Sequence, residues 1–264
     1  MGFTLFWVAC GMVSSGVRPV RALDVFTLWR QPELPLRMEE GAWADYRTQV
    51  MAGGRREEGL TRIVCLGREH GSDDDTWLIE LLPLTEQPDG SLVPVPGEGA
   101  RLRLSRRLLD RQGHLLDAIV EVEKWSDGLP EKISRDQLRE DPLVSASLDS
   151  EFIPDTTESR APTTRVIAGT QFLCDQFVMS AVDTQTAELP AGRMIQVTTR
   201  EITAAVNVEV PFLGLTYAAE RVRSDSKLDP PSRKFSPPPP RVRVEVMELI
   251  EFGFQALPVL HDGD

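Results

Sequence analysis

The sequence predicts a mainly β protein: a curved antiparallel sheet, half-barrel-like, with one or two short helices mid-chain. Three observations predict it. Apolar and polar side chains alternate with period two in about ten separate stretches, the mark of half-buried strands. The one good helical candidate lies near the middle of the chain, between two groups of strands. No strand–helix–strand alternation and no internal repeat occurs, so a parallel sheet is excluded and one long sheet around a central helix fits the order best.

The elements follow in order. Residues 23–40, with Pro32 and Pro35, form an extended arm. Residues 42–50 make the first strand, ended by Gly53 and Gly54; residues 60–66 make the second. In the third, residues 76–82, Trp77, Ile79 and Leu81 share a face with Glu80 opposite, and Pro83 ends it. Residues 87–99 are a proline and glycine loop. Leu102 and Leu104 then point inward with Arg101 and Arg103 outward, and residues 116–125 form another extended run. Ser134 caps a short helix carrying Leu138, which Pro142 breaks or kinks. Residues 151–162 read as a surface connection and 164–182, apolar on both faces at the centre, as one interior strand.

Residues 202–223 are the clearest piece of architecture. Ile202, Ala204, Val206, Val208, Val210 and Phe212 alternate with polar or small residues, residues 211–214 interrupt the run, and the extended pattern resumes at Leu215. The expectation is a hairpin whose tip exposes Phe212 and Leu213 as a contact point, with folding back onto the core as the alternative. Residues 224–240 hold a proline-rich loop that cannot join a ladder. Residues 241–252 form the last strand, with Val242, Val244, Val246, Ile250 and Phe252 on one side and Glu248 interrupting that apolar face.

A chain of 264 residues that is 41% apolar can build a large core. Its 41 acids against 29 bases, a net charge of -12, exclude nucleic acid as a partner held by bulk electrostatics. Residues 1–22 read as a signal peptide, an uncharged apolar run followed by Val20 and Ala22 at the cleavage positions. Residues 23–264 are then a single β-rich domain, exported to the periplasm or the extracellular space. The run is shorter than the ~20 residues a spanning helix needs, so no stable membrane span is expected in the mature chain. Cys10, after Trp7, Val8 and Ala9, offers lipid anchoring as an alternative. Cleavage leaves Cys65 and Cys174, which in an exported chain point to one disulfide; two separate buried thiols are the alternative, because each lies in an apolar run.

The export signal, the antiparallel strand groups and the central helical insert together resemble the bacterial lipoprotein-carrier (LolA/LolB-like) half-barrel family of the cell envelope. The resemblance covers the order of elements and implies a half-barrel that shelters acyl chains; it transfers no functional residue.

The chemistry-bearing residues point away from catalysis. Ser105, His114 and Asp117 lack a nucleophile-elbow motif, and Glu121 with Glu123 read as a solvated strand face before a glycosidase pair. Asp73, Asp74 and Asp75 lack calcium-loop spacing, no zinc motif occurs, and no phosphate-binding or dinucleotide loop is present, so neither a metal nor a cofactor is expected. Glu248, if inward, requires Arg221 or Arg223 as its partner, because an unpaired buried carboxylate costs several kcal/mol; a β-bulge that turns it outward is the alternative. The candidate ligand-binding set is therefore Glu248, Arg221, Arg223, Phe212 and Leu213. The function expected is that of an exported, non-catalytic protein binding a hydrophobic ligand or lipid, or an envelope protein. A structural or interaction module of the envelope and a hydrolase with a cryptic site are the rivals.

Overall fold

The computed structural model describes residue 28 and residues 31–70, 75–105, 118–140, 152–189, 192–229, 237–256 and 259–260. The signal segment with Cys10, the residues His114, Asp117 and His261, Asp73 and Asp74 of the acidic loop, and residues 230–236 of the proline-rich loop lie outside them.

Strands β1 (Trp43–Ala52), β2 (Arg55–His70), β3 (Asp75–Glu86), β4 (Leu92–Pro94), β5 (Gly99–Ser105), β6 (Ile119–Ser126) and β7 (Leu129–Ser134) precede a single turn-and-a-half of helix, α1 (Arg135–Glu140). Strands β8 (Thr156–Ile167), β9 (Thr170–Leu189), β10 (Gly192–Val206), β11 (Leu215–Asp229) and β12 (Arg241–Gly253) follow it. They form one 12-stranded antiparallel sheet in the order β7-β6-β5-β3-β2-β1-β12-β11-β10-β9-β8, with β4 paired to β3. Each half is a meander running outward from the centre, and the first and last strands pair there, from Trp43 opposite Gly253 to Ala52 opposite Arg243.

The path ends at β7 and β8 without closing, so the sheet is open. It is also curved: Phe172 at the start of β9 lies 5.6 Å from Phe252 of β12, centroid to centroid, although two strands separate them in the sheet. Adjacent strands sit about 4.8 Å apart, so a flat sheet would hold those two strands about 14 Å apart.

The helix has the sequence-expected cap. Gln137 N–H donates to Ser134 Oγ at 3.3 Å, and Ser134 N–H donates to the Gln137 side-chain oxygen at 2.8 Å, a reciprocal capping box. Between β7 and β8, the opposite edges of the sheet, Leu138 of α1 and Phe152 are both buried in the main core.

That core covers one face across both halves. Ala44, Tyr46, Ile63, Ile79, Leu81, Leu102 and Val122 of the first half join Met179, Ile202, Ala204, Ala218, Met247 and Leu249 of the second. We call this the inner face. Trp77, Ile79 and Leu81 lie on it together, as do Leu102 and Leu104, as the alternation requires.

Several boundaries differ from expectation. Pro83 does not end β3, which continues to Glu86 where β4 pairs with it. Residues 156–162 are edge strand rather than connection, and the single interior strand expected over 164–182 is a hairpin turning at Ala168 and Gly169. Both turn residues have positive φ, 46° and 81°, as tight two-residue hairpins require. The proline-rich loop begins later than residue 224: Ser224 to Asp229 continue β11, paired with β10.

Cys65 and Cys174 are separate buried thiols, not the expected disulfide. Strands β2 and β9 have four others between them in the sheet. Burial pushes the Cys65 thiol up to about 11, the behaviour of an inert core cysteine.

Candidate functional site

The floor of the inner face at the junction of the two halves is built from small side chains. Ala44 on β1, Ala218 on β11 and Ala204 on β10 are all fully buried, and Ala204 is directly opposite Ala218. Tyr46 stands among them; its hydroxyl donates to Leu215 O at 3.2 Å, and burial pushes the phenol far above its ordinary range. Small residues on a strand leave room above the sheet that something else must fill.

Short segments of the chain fill it. Among the described residues these are Leu28 and Leu34 of the arm, Leu138, Phe152, and Val210, Phe212 and Leu213 of the loop 207–214. The tip is therefore folded inward, against the expectation of an exposed contact point: Phe212 and Leu213 retain 6% and 5% of their surface. Backbone chemistry explains the inversion. Asn207 accepts the Glu209 N–H on its side chain and accepts the Val210 N–H on its carbonyl, which turns the chain over. Phe212 takes a left-handed φ of 63° and exchanges two backbone hydrogen bonds with Arg37 of the arm, at 2.7 and 2.8 Å. Gly214 has a φ of 66°, and a Cβ there would lie 2.4 Å from Pro35 Cγ. Arm and loop thus form one roof unit.

Toward the outer ends of β10 to β12 the apolar floor gives way to charge. Glu220 and Glu245 are neighbours across β11 and β12, both buried on the inner face. Arg200 donates from Nε and Nη2 to Glu220 Oε1 at 2.8 and 2.6 Å and lies over the Phe152 ring at 5.0 Å; Arg243 pairs with Glu245. The result is a neutral band of two carboxylates and two guanidiniums bordering the apolar floor, able to offer both donors and acceptors at low dielectric.

None of these four was singled out from sequence. The residue chosen instead, Glu248, is half-exposed on the opposite face, across from Tyr217 and Arg47. Arg221 lies opposite Val244 and Arg223 opposite Val242, so neither is beside Glu248; Arg223 holds Asp225 at 2.7 Å instead, which raises its pKa. The cause is a bulge at Ile250: Asp45 pairs with Glu251 but Tyr46 with Leu249, which shifts the parity of β12. Its inner face is Glu245, Met247 and Leu249, and Val242 on the other face is 43% exposed.

Glu121, Glu123 and Asp45 are engaged in ion pairs. Glu121 takes Arg103 at 2.9 Å and Glu123 takes Lys132 at 3.0 Å. Burial works to raise Glu123, but the Lys132 hydrogen bond and the charges of Lys132, Arg101 and Arg103 outweigh it and hold the carboxyl below its usual range. Asp45, fully buried, receives both arms of Arg62 at 2.6 and 2.7 Å, and this raises the guanidinium against the opposing effect of its burial. Among the described residues no group of three metal-ligating side chains comes together, and no helix is long and apolar enough to cross a membrane.

No protein-family model and no curated protein matches the chain. Solved structures similar to it include a LolA superfamily protein from Nitrosomonas europaea, 9% identical over 91% of this chain and 96% of that one, with a TM-score of 0.27. Another is a protein with a YmcC-like fold from Bacteroides fragilis, 8% identical over 83% of this chain and 99% of that one, with a TM-score of 0.22.

Proposed function

We propose that this is an exported, non-catalytic binding protein that takes an amphiphile, a molecule with an apolar chain and a polar end, on the inner face of its sheet. One observation carries the reading: among the described residues, the apolar floor at the junction is covered by short segments, the arm, the loop 207–214, Leu138 of α1 and Phe152. Such segments open at a fraction of the free energy of global unfolding, so the floor can be uncovered while the sheet persists. The alkyl chain would replace Phe212, Leu213 and the arm leucines over Ala44, Ala204 and Ala218. The polar end would meet the band of Arg200, Glu220, Arg243 and Glu245. The buried acids Asp45, Glu80, Glu123, Glu220 and Glu245 each have a guanidinium or ammonium partner, an arrangement that favours holding a ligand over moving protons.

The test is lipid extraction of detergent-free protein followed by mass spectrometry, together with titration of N-phenyl-1-naphthylamine. Saturable fluorescence enhancement, displaced by oleate, is expected. Absence of both copurified lipid and saturable uptake overturns the reading.

A further inference from the structure

A second built site lies on the outer face of β3, β5 and β6, independent of the inner-face reading. Glu80 is fully buried there although it occupies the polar position of its strand, because the C-terminal segment is seated on it. Val259 N–H donates to Glu80 Oε2 at 3.1 Å and Leu260 N–H to Oε1 at 3.4 Å, so one carboxylate reads two consecutive backbone amides. Arg101 donates from Nη2 to the same Oε1 at 2.9 Å and also to the Leu260 carbonyl. The Leu260 side chain is buried with Val64, Leu82 and Trp125. The Trp125 ring lies 5.0 Å under the Arg101 guanidinium, and its buried indole N–H has no acceptor among the described residues.

Two amides accepted, one carbonyl donated to and one leucine-sized socket is the chemistry of peptide recognition: backbone contacts for affinity, one side-chain pocket for selectivity. We infer that Glu80, Arg101 and Trp125 form a docking site for a peptide segment bearing a leucine on a partner protein, and that the chain's own tail occupies it as a competing ligand in cis.

The probe is a fluorescein-labelled synthetic peptide of residues 256–264, measured by anisotropy against the full chain. Leu260→Asp unseats the tail, and that chain is expected to bind the peptide saturably and at least tenfold more tightly than the wild type. The same peptide carrying the Leu260→Asp change is expected not to bind. A folded Leu260→Asp chain that ignores the peptide, or binds both peptides alike, overturns the inference. Should that variant not fold, amide exchange on the wild-type chain decides. Val259 and Leu260 amides that exchange well before those of β3 and β5 support a releasable tail; exchange only on global unfolding overturns it.

Discussion

Phe212→Ala separates a roof from a core. Phe212 is as buried as a core residue, yet it belongs to a loop joined to the arm by a pair of backbone hydrogen bonds and by Arg37 Nη1 donating to Glu209 O at 3.2 Å. Removing the ring forfeits about 1.5–3 kcal/mol of burial in the closed state. If the loop opens on its own, that loss falls on the local opening equilibrium, and at 1.4 kcal/mol per tenfold the open population rises about 10- to 150-fold. The positive φ of 63° is retained by alanine, so backbone strain does not cancel the effect. Stopped-flow uptake of N-phenyl-1-naphthylamine should accelerate by a similar factor. The urea midpoint should fall by less than the ~3–5 kcal/mol equivalent typical of a Phe→Ala change in a rigid core. An unchanged uptake rate combined with the full core penalty would refute a movable roof.

Three further outcomes follow from the geometry. Gly214→Ala places a Cβ 2.4 Å from Pro35 Cγ and 2.9 Å from Asn207 O in a left-handed conformation, so thermal unfolding should register a loss of about 1–3 kcal/mol; an unchanged melting temperature contradicts the described loop. In a Cys10→Ser chain, Ellman's reagent at pH 8 should find Cys65 and Cys174 silent while folded and both reactive in guanidinium without reductant; a loss of thiol signal that reductant restores would restore the disulfide. Glu123 is held below its ordinary range, so the unfolded chain binds the proton first: the stabilisation is fully present above about pH 4.3 and is lost as pH falls through the lower folded value. Glu123→Gln should therefore flatten the acid limb of stability measured by urea unfolding between about pH 5 and 3, and an identical limb in both proteins would assign acid sensitivity elsewhere.

The curved antiparallel sheet was legible because period-two alternation is a property of the chain alone. Trp77, Ile79 and Leu81, or Leu102 and Leu104, need no partner to declare a face, and Ser134 declares its helix by capping chemistry. The hairpin at Ala168 and Gly169 was less visible because alanine at positive φ is a weak signal beside the usual Asn-Gly, and the flanking strands merged into one apparent run.

The site was misplaced for a different reason, which bears on how its chemistry is encoded. By side-chain count, Val242, Val244, Val246, Ile250 and Phe252 outrank Met247 and Leu249 as the buried face of β12, so Glu248 looked like the anomaly. Pairing decides otherwise: β12 lies between Ala44 and Tyr46 of β1 and Ala218 of β11, and their faces select Met247 and Leu249. The bulge at Ile250 then moves Phe252 to the inner side while leaving the valines on the outer one. Glu245 thereby becomes buried beside Glu220, each with an arginine one row further along the sheet. Arg243 and Glu245 are neighbours on one strand, but Arg200 is 20 positions from Glu220, and Glu220 is 25 from Glu245, so the signal of the whole band resides in cross-strand register. Local alternation places the apolar floor; only the ladder among β10, β11 and β12 places the charge that borders it.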